Sequence, residues 1–190
     1  MKPFPPLAVL VLMLLSGSAL AHPGHTGGLM AGLGHPYSGL DHALAMLAVG
    51  LWAAQQKSRD AFWKIPLAFV ATMVAGCLLG QAGVPLPRVE AGIAASVLIL
   101  GLLVAFSLRM PTPAGMSLVA VFALLHGYAH GVEVPMTGGL TGFIAGFALA
   151  TASLHGIGMA LGWYARNRAE IALRVGGACV ALAGAWMALG

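Results

Sequence analysis

Long apolar runs alternate with short polar breaks along this chain, at the spacing of membrane-crossing helices. From residue 28 onward the pattern predicts six apolar spans, at 28–53, 65–82, 89–108, 114–132, 138–164 and 169–189. Each has about the ~17–25 residues a helix needs to cross a bilayer. Pro85, Pro87, Pro111, Pro113 and Pro135 punctuate three of the breaks, as helix-stopping residues do. The predicted fold class is all-α, a polytopic membrane helix bundle with six transmembrane helices.

The first 21 residues read differently. Lys2 makes a short basic start, residues 7–15 are apolar, and Ala19-Leu20-Ala21 has the A-x-A form of a cleavage site. The apolar run is too short for a comfortable span of ~20 residues. The expectation is a signal peptide over 1–21, cleaved to leave His22 as an external amino terminus, followed by a single six-helix domain over 22–190.

Composition agrees with a membrane protein. The chain has 190 residues, 59% hydrophobic and only 7% charged, with a mean hydropathy of +0.92. A soluble domain carries about 25% charged residues. The net charge of +4 is therefore no sign of nucleic-acid binding. It reflects orientation: with the amino terminus outside, Lys57, Arg59, Lys64, Arg109, Arg166, Arg168 and Arg174 fall inside, and only Arg88 falls outside. An even number of spans then puts both mature termini outside. The connections leave no room for a nucleotide-binding module, and no Walker motif implies an ATPase subunit. Cys77 and Cys179 lack CxxC spacing and read as small core hydrophobes. Gly138, Gly142, Gly146 and Ala150 recur every four residues, as do Gly158 and Gly162. Such rows let helix backbones approach closely in lipid.

Against this apolar background, three groups of histidines stand out: His35 with Asp41 and His42, His126 with His130 and Glu133, and His155. Ionisable groups within a bilayer are costly and mark ion paths, proton relays or metal sites. Imidazole with carboxylate favours a divalent transition metal. His35 and His42 share a helix face two turns apart, about 10 Å at 1.5 Å per residue. One ion is not easily held by both on an ideal helix, but Pro36 and Gly39 predict a bent or partly unwound segment. His126, His130 and Glu133 at i, i+4 and i+7 project from one face, and the two histidines suit chelation of one ion. His155, near Thr151 and Ser153, reads equally as a deeper ligand or as a hydrogen-bonding partner of another helix. Glu90 beside Arg88 reads as interfacial. At the mature start, the amine and imidazole of His22 suit metal chelation, with His25 nearby. Ordered by depth, these ligands run from the outer surface inward, as conduction requires. The residues thus point to a membrane permease for a divalent transition metal.

The motifs resemble the HupE/UreJ family of hydrogenase- and urease-associated nickel/cobalt permeases. The run His35-Pro36-x-x-Gly39-x-Asp41-His42, followed by Leu44-Ala45-Met46, is similar to the family signature. The run His126-Gly127-x-Ala129-His130-Gly131-x-Glu133 is similar to its second element. The resemblance spans essentially the whole mature chain. It implies uptake of Ni²⁺ or Co²⁺ across a bacterial inner membrane to supply metalloenzyme assembly, with the ion as transported substrate and no tightly bound cofactor. It implies functional roles for His35, Asp41, His42, His126, His130 and Glu133. The competing readings are an integral-membrane zinc hydrolase using the same His/Asp cluster, whose ligands should converge at one depth, and bis-histidine haem binding in a helical bundle.

Overall fold

The computed structural model of this chain describes residues 28–133 and 139–190. The expected signal peptide over 1–21 and the candidate ligand His22 lie outside the described residues, as do His25 and Pro135. Every described element is helical: α1 Gly28–Ser38, α2 Leu40–Gln55, α3 Arg59–Gln81, α4 Val89–Ala105, α5 Thr112–Glu133, α6 Leu140–Ala165 and α7 Glu170–Leu189. Four of these, α3, α5, α6 and α7, are long and apolar enough to cross a membrane, and α4 is a shorter apolar helix. Their outward faces are apolar too, with Leu67, Leu182 and Trp186 among the exposed side chains. Large exposed apolar surface of this kind suits lipid rather than water.

The first expected span is two helices, not one. Pro36 has no N–H to donate to a carbonyl one turn back. Ser38 Oγ donates to the His35 carbonyl at 2.6 Å and satisfies the end of α1. Gly39 is then extended, with φ −100° and ψ 118°, and α2 starts afresh at Leu40. This restart leaves the His42 N–H out of register with the preceding turn, and Asp41 Oδ1 accepts it at 2.7 Å. A second difference lies at α3, which begins at Arg59 rather than 65. Ser58 Oγ caps it by accepting from the Ala61 N–H at 3.4 Å, and Lys64 pairs with Asp60 at 2.6 Å. Cys77 is buried as expected, but Cys179 is exposed on α7, so it is not a core residue.

Close backbone approach organises the bundle. On α5, a Cβ added at Gly127 would strike the Met73 carbonyl of α3, and one at Gly131 would strike the Cys77 carbonyl. Gly76 and Gly80 return the fit from α3 against Leu124 and Tyr128. Gly32 and Gly146 bring α1 against α6, while Gly50 and Gly158 do the same for α2 and α6. Gly101, Gly177 and Gly184 join α4 to α7. Between these seams lie the fully buried Met46, Trp52, Ile65, Phe69, Met73 and Phe147. At the other end of α2, Trp52 Nε1 donates to the Leu108 carbonyl at 2.7 Å, and Gln55 Nε2 to that of Val104 at 3.0 Å. These bonds tie α2 to the end of α4 and the loop beyond it.

Gly127→Ala is expected to destabilise the protein by about 1–3 kcal/mol, the usual cost of overpacking. Thermal unfolding of the purified protein in detergent reads this as a lower Tm. Gly156→Ala, where an added Cβ meets nothing within 4 Å, should leave Tm unchanged or raise it, since alanine favours helix. Equal effects of the two changes would contradict the packing account.

Candidate metal centre

Three helices, α1, α2 and α5, deliver side chains to one row of rings. At its exposed end, His35 on α1 meets Glu133 on α5, with Nε2 and Oε2 3.1 Å apart. His35 also touches His130 on α5, edge to face, with ring centroids 4.4 Å apart. His130 in turn lies 4.2 Å from His42 on α2. His42 lies 4.6 Å from His126 on α5. The order is therefore Glu133, His35, His130, His42, His126. Exposure falls along it: the Glu133 side chain is 64% exposed and that of His35 30%, whereas His130, His42 and His126 are buried.

Donor atoms converge at the outer end. His35, His130 and Glu133 each offer a ligand atom, and the three lie within 4.8 Å of one another. His126, expected to chelate with His130, does not belong to this group. Its Nε2 lies 2.7 Å from Ser96 Oγ of α4 instead. His35 and His42 sit on either side of His130, but on two helices with extended Gly39 between them rather than two turns apart on one. Asp41 turns to its neighbour: Oδ1 accepts from His42 Nδ1–H at 2.7 Å. That bond leaves His42 Nε2 with a free lone pair, and this atom is buried without a hydrogen-bond partner from the protein. His126 Nδ1 and both nitrogens of His130 are likewise buried without a hydrogen-bond partner among the described residues. Buried polar atoms are ordinarily paired, so a row of unpaired imidazole nitrogens fits a set of ligands for a soft or borderline cation.

His155 on α6 stands apart. It is buried at 2% exposure, and Phe69 of α3 lies between it and the other rings, 5.1 Å from His155 and 6.0 Å from His126. Both its nitrogens lack partners among the described residues, so no hydrogen bond to another described helix is made. The neighbouring hydroxyls are engaged elsewhere: Thr151 with the Met73 sulfur at 3.4 Å, and Ser153 with the Ala150 carbonyl and with Tyr37 Oη, each at 2.6 Å. Glu90 is exposed, as an interfacial residue should be, yet it also lines a cavity of about 590 Å³ together with Asp41.

Several residues around the row were not among the expected ones. Phe147 packs against His130 at 4.3 Å and Phe143 against His35 at 5.6 Å. Phe69 and both phenylalanines of α6 looked like ordinary apolar sequence. Ser96 carried a readable signal, because it is the one hydroxyl inside the apolar run of α4.

Comparison with known proteins adds an independent finding. The family described as HupE / UreJ protein matches residues 10–187. A protein of Rhizobium leguminosarum bv. viciae, Protein HupE, is 46% identical over 183 residues, covering 95% of each chain. No solved structure matches the chain.

The geometry predicts that purified protein binds Co²⁺ with a visible absorption band from nitrogen and oxygen ligands. His130→Ala should abolish the band, and Glu133→Gln should weaken it. Undiminished Co²⁺ binding in His130→Ala would remove this residue from the site.

Proposed function

The chain belongs to the HupE/UreJ family, and on that footing we propose that it is a bacterial inner-membrane permease. Its substrate is Ni²⁺ or Co²⁺, taken inward to supply metalloenzyme maturation, and it catalyses no reaction. The observation that carries this reading is the graded row of histidine rings. It leads from the exposed Glu133–His35 pair to the buried His126. A path of ligands, each holding the ion only partly, lets it be taken up and then released.

In this reading the amine and imidazole of His22 collect the ion outside. His35, His130 and Glu133 receive it, and the Glu133 carboxylate offsets its charge. His130 touches both His35 and His42, so its ring is placed to take the ion from one and pass it to the other. Asp41 serves through His42, holding Nδ1–H so that Nε2 faces the ion, and adds negative charge nearby. His126 follows, and beyond Phe69 His155 is the innermost ligand.

The membrane frame follows the charge pattern. The broken pair α1 and α2 together forms the first of six spans, and α3 to α7 form the rest. Both mature termini face the periplasm, behind a cleaved signal peptide. An inside-negative potential drives a cation inward by about 2.3 kcal/mol per charge at 100 mV, which needs no ATPase. Neither the family match nor the relative supports the zinc-hydrolase alternative.

Uptake of ⁶³Ni²⁺ by cells expressing the chain tests the proposal, with Co²⁺ and Zn²⁺ as competitors. His42→Ala and His130→Ala should abolish uptake while still inserting in the membrane. Normal transport by both variants would defeat the pathway. His22→Ala should lower uptake mainly at low metal concentration.

A further inference from the structure

We infer that Ser96 is a positioning residue for the metal path: its hydroxyl holds His126 protonated at Nε2 and so keeps the Nδ1 lone pair free for the ion. The inference rests on the permease reading for its purpose, but its geometry stands alone. Ser96 is fully buried in α4, and its Oγ makes two contacts of 2.7 Å, one to the Ile93 carbonyl and one to His126 Nε2. A hydroxyl has one proton. A carbonyl has none, so the Oγ–carbonyl contact requires the serine proton. Oγ must then accept at its other contact, and His126 Nε2 must carry the hydrogen. A neutral imidazole protonated at Nε2 has its lone pair at Nδ1. That atom is buried and makes no hydrogen bond with the protein.

Among the described residues, Ser96 is the one side chain that hydrogen-bonds to His126. The rings nearest His126 are His42 at 4.6 Å and Phe69 at 6.0 Å, and neither hydrogen-bonds to it. His42 is itself held by Asp41 through Nδ1. Two adjacent imidazoles thus have one nitrogen anchored by a neighbour and the other left bare. Such outer partners fix ring orientation and tautomer at metal sites, and their loss typically costs ~10–100-fold in affinity or activity. Asp41 does this with a charge, Ser96 without one. The second device costs no extra buried carboxylate deep in the bundle.

The test combines a spectroscopic readout with transport. ¹⁵N-histidine spectra of the full-length metal-free protein in detergent report which nitrogen of His126 bears the proton, the signal being identified by its loss in His126→Ala. Wild type should show a single Nε2–H form. Ser96→Ala should give two exchanging tautomers and a fall in ⁶³Ni²⁺ uptake on the order of tenfold. Ser96→Thr, which keeps a hydroxyl, should restore the single form and the uptake. A wild-type His126 protonated at Nδ1 would overturn the inference. So would a Ser96→Ala protein with an unaltered His126 signal, or with an altered signal and undiminished uptake. If the tautomer responds as described but wild type itself carries no Ni²⁺, the hydrogen-bond assignment stands and the permease reading falls.

Discussion

The close contact of α5 with α3 is the constraint on which the rest of the structure depends. Lipid gives helices no hydrophobic reason to associate, so packing must do so. Here each histidine of α5 is followed directly by a glycine: His126-Gly127 and His130-Gly131. Successive residues on a helix are turned by about 100°. One face can therefore press its bare backbone on Met73 and Cys77 while the adjacent face presents two imidazoles. The same seam sets the height of Phe69, four residues before Met73, relative to His126. Packing and chemistry share one stretch of helix, and neither can be altered without disturbing the other.

The break at Gly39 has a comparable double effect. It ends α1 where His35 can reach Glu133 and His130. It also begins α2 with an unpaired amide, which Asp41 takes up along with the His42 ring. A carboxylate near a helix start is favoured by the local dipole and free N–H groups. The acidic residue of this motif is thereby anchored to its own neighbour and orients that imidazole.

Unpaired buried nitrogens would be a liability in an ordinary core, where a missing hydrogen bond costs about 1–3 kcal/mol. The cost is tolerable here because the surrounding bundle is held by backbone packing and by polar ties at its ends. Gln81 Nε2 donates to the Gly131 carbonyl at 2.8 Å, and Trp52, Gln55 and Gln56 tie the end of α2 to Val104 and Leu108. Aromatic edges from Phe69, Phe143 and Phe147 enclose the histidine row without competing for its nitrogens.

Much of this was legible in the sequence, because local chemistry decides it. Apolar run length and charge scarcity dictate a helical, lipid-compatible chain, and Pro36 with Gly39 dictate a defect in the first run. Ionisable residues in that setting marked the histidine and carboxylate positions directly. The intervals between histidines of one helix were legible too, since rise per residue is constant. The glycine after each α5 histidine looked like part of a motif, and its packing role emerged only against α3. What the sequence could not decide was partnership between helices, which depends on their relative rotation and height. His130 rather than His126 joins His35 and Glu133 because α1 ends beside the last turn of α5. Ser96 becomes the partner of His126 only because α4 packs at that height. Phe69 separates His155 from the other rings for the same reason. Intervals within a helix are set by the covalent chain, whereas distances between helices are set by how their surfaces fit.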